Sequence, residues 1–216
     1  MRRFIRLRRT VITAATLSAT AAAVFATSAH VEAAPSLYIN HKHTTVTTHL
    51  KNLGVDVVFT TTERTKAESM PPFTLESKIE PAQTRAAWRL ADLRIATLQI
   101  KMIPDGPATG NATPTGQGPM DVKVTQKLDI QIQRIEPLGI KEFNLVGAPC
   151  TTSTPAELVL TGQIPFSEEE GTDFFAPLTL KGDLTIPPLA GCGALTPLLN
   201  PIASGPGNAV TVELKE

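Results

Sequence analysis

Chemistry in this chain would have to be built on two cysteines, Cys150 and Cys192, on the histidines of "NHKHTTVTTH" and on the acids of "SEEEGTD". No Cys-x-x-Cys spacing occurs, so neither a dithiol redox centre nor a zinc knuckle is encoded. In an oxidising compartment an even pair of cysteines reads as one disulfide, and closing a loop of about 42 residues stabilises a fold by roughly 4 kcal/mol. Reactive or intermolecular thiols are the competing use. On a straight strand His41, His43 and His49 share one face, and His-x-His spacing grips a metal at two points. A defined site needs more ligands, yet the nearest downstream carboxylate is Asp56. The stretch is therefore expected to be a polar strand face, with no metal. Glu168, Glu169, Glu170 and Asp173 offer oxygen ligands for calcium, but they lack the alternating Asp/Asn-Gly pattern of a calcium loop and read as a solvated turn.

No catalytic or cofactor-binding residue is singled out. There is no Gly-x-Ser-x-Gly elbow, and after the leader the histidines crowd at one end, away from most candidate nucleophiles. A carboxylate-dependent hydrolase needs only two acids that meet in space, and spacing does not pick them out. Beyond residue 33, Trp88 and Tyr38 are the only residues of their kinds, which is poor provision for stacking on sugars. "SGPGN" at Ser204 to Asn208 has no following lysine, so it reads as a tight turn and not as a phosphate loop. Leu189-Ala190-Gly191-Cys192 matches a lipid-attachment tetrapeptide, but such a cysteine must directly follow a leader, and none precedes Cys150.

The destination is clearer than the chemistry. "MRRFIRLRR" carries five arginines and is followed by an apolar run ending at Val31-Glu32-Ala33. This is the layout of a signal peptide over residues 1–33, with Ala34 starting the mature chain. Arg8-Arg9 also leaves a twin-arginine export route open beside the general one. Removing five arginines and Glu32 from 20 basic and 20 acidic residues leaves a net charge of minus four. That balance argues against nucleic-acid and anionic membrane partners, which call for a basic face, and no later apolar run is long enough for a stable membrane anchor.

The elements that must carry these residues are strands. In "DVKVTQKLDIQI" Val122, Val124, Leu128, Ile130 and Ile132 alternate with polar residues, which gives one dry and one wet face and favours antiparallel pairing. Further strands are expected at 37–48, 54–62, 74–79, 93–103, 141–146 and 209–214. "LVLTGQIPF" and "LTLKGDLTI" are expected to form a hairpin in which Gly162 faces Leu178 and Gly182 faces Leu158, each glycine leaving room for a leucine. "PAQTRAAWRLA" predicts a short helix. The Pro- and Gly-rich segment 104–119 is expected to be a flexible loop within a single domain spanning 34–216.

Residues 148–214, with "APCTTSTPAELVLTG" and "LTLKGDLTIPPLAGCGALTPLLNPIASGPGNAVTVEL", resemble exported actinobacterial proteins of uncharacterised function. The resemblance implies export and β structure, and no activity. The expected fold is all-β with at most one short helix: an antiparallel sandwich or, alternatively, a barrel-like form. The expected role is a noncatalytic extracellular or cell-surface structural or binding protein, without cofactor, its ligand an apolar molecule or a cell-surface component. The alternatives are a carrier of an apolar ligand or lipid in a cavity lined by Leu128, Ile130, Leu160 and Leu180, and the carboxylate-dependent hydrolase. Mass spectrometry of exported protein is expected to give a chain that starts at Ala34 and is two hydrogens lighter than its reduced form. An intact N-terminus would contradict the leader assignment, and free thiols the disulfide.

Overall fold

A computed structural model describes residues 35–215 except 91, 117, 147–149, 168 and 170. The leader assigned to 1–33, with its cut after Ala33, lies outside the described residues, as do Glu168 and Glu170. The strands are β1 (Ser36–Leu50), β2 (Val55–Glu68), β3 (Thr74–Ile79), β4 (Ala82–Leu90), β5 (Leu93–Pro104), β6 (Ala108–Pro114), β7 (Met120–Pro137), β8 (Cys150–Thr152), β9 (Ala156–Ile164), β10 (Phe166–Ser167), β11 (Gly171–Thr172), β12 (Leu178–Ile186), β13 (Leu189–Ala190) and β14 (Gly205–Lys215). A 3-10 turn (Gly193–Leu195) leads into one short helix, α1 (Thr196–Ala203).

Pairing reduces these strands to eight staves. β5 and β6 lie end to end along one edge of β7, β5 opposite Leu128–Pro137 and β6 opposite Met120–Thr125. β3 and β4 likewise run end to end, beside β6 and β5 respectively. The staves β1, β2, β3 with β4, β5 with β6, β7, β9, β12 and β14 each lie antiparallel to the next, and β14 returns to β1 from His43↔Lys215 to His49↔Ala209. The result is an eight-stranded up-and-down barrel. Of the two all-β forms expected, the barrel is realised and the sandwich is not, because closure of β14 on β1 removes the edges that an open sheet exposes.

Inward positions are the apolar ones. Val57 and Phe59 on β2, Leu98, Ile100 and Met102 on β5, Val122, Val124, Leu128 and Ile132 on β7, and Val210 and Val212 on β14 are buried in one core. β8 and β13 extend the wall beside the far half of β7. There Cys150 and Cys192 form a disulfide, and Asn200 of α1 accepts a hydrogen bond from the Leu189 N–H and donates one to its carbonyl. Disulfide and asparagine together hold β13 and α1 against the barrel end.

Four local expectations are corrected. Residues 82–90 are strand β4 and not a helix: Ala82 and Ala86 are buried while Gln83, Arg85 and Arg89 are exposed, and pairing with β5 overrides a weak helical propensity. Segment 104–119, expected as a flexible loop, contains β6, whose Ala108 and Ala112 are buried between β3 and β7. Residues 141–146 form a turn and loop in place of a strand. The β9–β12 register differs by two residues from the one expected, so that Gly182 pairs with Leu160. The reason for the glycines survives the shift. A Cβ on Gly162 would lie 2.6 Å from the Thr179 carbonyl oxygen and 2.7 Å from Leu180 Cδ2, and one on Gly182 would lie 2.0 Å from the Val159 carbonyl oxygen and 3.3 Å from Leu160 Cδ2. Because the nearest obstacle at each glycine is backbone, it has little freedom to yield. Gly182→Val is expected to cost about 1–3 kcal/mol by overpacking; a urea midpoint equal to that of the parent protein would refute the close approach.

Candidate functional site

The barrel interior divides into two apolar chambers. The first, with about 60 Å³ unfilled, is lined by Val46, Phe59, Leu128, Ile130, Leu158 and Ile186 among others, and Leu189 and Ala203 from the disulfide-held end also border it. The second, with about 70 Å³ unfilled, has Val122, Val124, Leu160, Leu180 and Val212 in its wall, with Pro165, Phe174 and Ala176 from the β9–β12 connection also contributing. The residues proposed as one cavity lining are thus separated: Leu128 and Ile130 face the first chamber, Leu160 and Leu180 the second. The boundary falls between Phe59 and Glu63 on β2, Leu158 and Leu160 on β9, and Val210 and Val212 on β14. Thr44 and Thr61, which pair across β1 and β2, lie at this level and are buried.

The second chamber has a polar wall. Residues around His41 do not form the single histidine face that strict alternation predicts, because the β1–β2 register shifts between His41 and Thr44. A bulge reverses which side chains point inward. His41 is therefore buried, whereas His43 and His49 are exposed. His41 Nδ1 lies 2.6 Å from Glu63 Oε2, directly across on β2, and the other carboxylate oxygen of Glu63 accepts hydrogen bonds from the hydroxyls of Thr65 and Ser77. His49 pairs outside with Asp56 at 2.7 Å. Among the described residues no group of three or more His, Cys, Asp or Glu is placed to hold a metal; Glu169 and Asp173 lie in and after the β10–β11 hairpin.

Glu63 was not among the residues singled out in the sequence, although its parity carried a signal. It continues the inward series Val57, Phe59, Thr61 of "VDVVFTTTE", where an acid is costly unless partnered. Gln126 is the same kind of exception on β7, the one polar residue within "DVKVTQKLDIQI" on the parity of Val122, Val124, Leu128 and Ile130. It is 2% exposed, borders the second chamber, and donates from Nε2 to the carbonyls of Gly106 and Lys127. Its Oε1 is buried without a hydrogen-bond partner. Exchanging the amide atoms would aim Oε1 at two carbonyl oxygens, so the hydrogen-bond network fixes the orientation.

Chemically, Ser77 is committed to Glu63 and not to an imidazole, whereas activation of a serine calls for the histidine to contact the hydroxyl. The second deeply buried acid, Glu136, sits on the other side of the β7 wall, held by Arg85 and by Arg134 at 3.4 Å. Each acid is thus surrounded by its own donors. No protein-family model matches the chain, and no curated protein or solved structure matches it.

The two histidine pairs should behave differently on truncation. Glu63→Ala strands a buried imidazole and two hydroxyls and is expected to cost about 3–5 kcal/mol. His49→Ala, in a pair that is more than half exposed, is expected to cost less than about 1 kcal/mol. Urea denaturation of both variants checks this, and equal losses would remove the distinction.

Proposed function

We propose that this is an exported, noncatalytic binding protein that holds a small, largely apolar molecule bearing one hydrogen-bond donor in the chamber between His41 and Phe174. The observation that carries the reading is Gln126 Oε1, an unpartnered acceptor buried at the wall of an apolar space. Leaving such an acceptor unpaired costs roughly 1–3 kcal/mol, and a ligand hydroxyl or amide N–H recovers it. An eight-stranded barrel suits this use, since its interior is either filled by side chains or wide enough for one small ligand. The unfilled space of about 70 Å³ is less than the ~150 Å³ of an apolar cavity that takes up benzene. A ligand of more than a few carbon atoms therefore enters by displacing Phe174, which packs at the core's margin.

Export is supported by the arginine-rich leader with its apolar run and by the disulfide, which suits an oxidising compartment. Among the described residues no helix is long and apolar enough to cross a membrane. The commitment of Ser77 to Glu63 favours binding over hydrolysis.

Titration of isotope-labelled protein with n-alcohols and alkanes of equal chain length tests the reading by NMR. Alcohols are expected to shift residues around Gln126 saturably and to bind about fivefold more tightly than the alkanes, as one hydrogen bond warrants. Gln126→Leu should erase that preference, and Phe174→Ala should lengthen the longest chain accepted. If no alcohol gives saturable shifts in the chamber, even with Phe174→Ala, the proposal fails.

A further inference from the structure

The outer face of the β5–β7 wall carries a feature unconnected with either chamber. After β7 the chain turns at Leu138 and Gly139, with φ of 54° and 80°, and folds back beside the strand it has just left. The Leu138 N–H donates to the Ile95 carbonyl, Arg134 Nη2 to the Lys141 carbonyl, and the Leu145 N–H to the Ile135 carbonyl. Asn144 Oδ1 accepts from the N–H groups of Ile135 and Val146. This turn is therefore a fastened structure. The strain of a non-glycine residue in the left-handed region, of the kind that clusters at functional sites, is held in place by those bonds.

What the turn presents is apolar. Leu138, Ile140, Phe143 and Leu145, together with Leu93 at the adjoining start of β5, are 42–64% exposed, and they make up five of the eleven large apolar side chains exposed among the described residues. The charges around them are opposite in balance to the rest of the molecule. Residues 85–94 and 134–145 hold five basic and three acidic side chains, leaving ten basic and sixteen acidic in the remainder of the chain from Ala34. One of the three acids, Glu136, is buried against Arg85 and Arg134. Arg89, Arg94 and Lys141 are exposed at the same end, with Asp92 and Glu142 as the exposed acids among them.

We infer that this end of the barrel docks on an anionic lipid surface, the turn's apolar side chains entering between headgroups while Arg89, Arg94 and Lys141 meet the phosphates. Projecting apolar residues with a basic surround suit that interface. Docking here is peripheral and reversible, and the net negative charge of the remaining surface orients the molecule with this end toward the lipid. The inference is independent of the chamber: β7 runs from Met120, beside the second chamber's strands, to Pro137 at this turn.

Co-sedimentation of the purified, disulfide-bonded protein with vesicles tests it, using phosphatidylcholine alone and an equal mixture of phosphatidylcholine and phosphatidylglycerol. Binding is expected to the mixed vesicles, to weaken at high salt, and to fall about fivefold with Lys141→Gln, as one charge near such a surface warrants. Phe143→Asp should abolish it, whereas Leu198→Asp, at an exposed leucine on α1, should leave it intact. Thermal melts of each variant separate loss of docking from loss of fold. Failure to sediment with the mixed vesicles, or sedimentation unaffected by Phe143→Asp in a folded variant, would overturn the inference. Self-association in the absence of lipid that Phe143→Asp abolishes would also overturn it, assigning the face to a second copy of the chain.

Discussion

Closure of the last strand on the first is the constraint from which the other features follow. An open sheet of strands this long leaves two rows of unpaired N–H and C=O groups; the β1–β14 ladder removes both. Once the wall is closed, side chains on one parity of every stave must share a single interior, and polar residues on that parity need partners from inside. His41, Glu63, Ser77 and Thr65 supply one another. Gln126 satisfies its amide nitrogen with two backbone carbonyls and leaves its oxygen over, which is why the proposed ligand contact lies there and not at a more conspicuous cluster.

Space in the interior is governed by the same geometry. Eight staves bring opposite walls close enough for Phe59, Leu158 and their neighbours to fill most of it, so that two small unfilled volumes remain. Glycines at 162 and 182 let the leucines across from them sit inside the wall's own thickness. The disulfide acts at a different place. It joins the short β8 and β13 extensions, and through Asn200 the bond between them positions the helix that borders the first chamber.

Strand identity was legible because alternation is a local property. β3 and β12 were located to the residue and β5 and β9 to within two residues at either end, whereas β2 and β7 run well past their expected ends and β14 begins ahead of its expected start. What failed was whatever depended on a distant partner. "AQTRAAWRL" favours helix locally and becomes β4 because β5 offers a ladder. "PATGNATP" looks like linker, yet its two alanines fit between β3 and β7. The site was legible only in part: the cysteine pair followed from count alone, whereas Gln126 and Glu63, polar residues on apolar parity, were passed over. The pairing of Glu63 with His41 was hidden, because it requires both a cross-strand register and a bulge that turns one histidine inward and its neighbours out.

Having the first and last staves as neighbours also governs the order of assembly. β1 can pair with β2 as soon as both exist, but its other edge stays bare until the final eleven residues of the ladder, Gly205–Lys215, have arrived, and β12 waits for the same segment on its far side. Most of the barrel is hairpin-local, whereas this one seam spans nearly the whole described chain, and such long-range closure makes folding slow. A chain cut short before β14 would lack more than a strand. It would carry two long unprotected edges, threonine-rich on β1 and leucine-rich on β12, so its natural fate is to pair with other truncated copies instead of persisting as a smaller barrel.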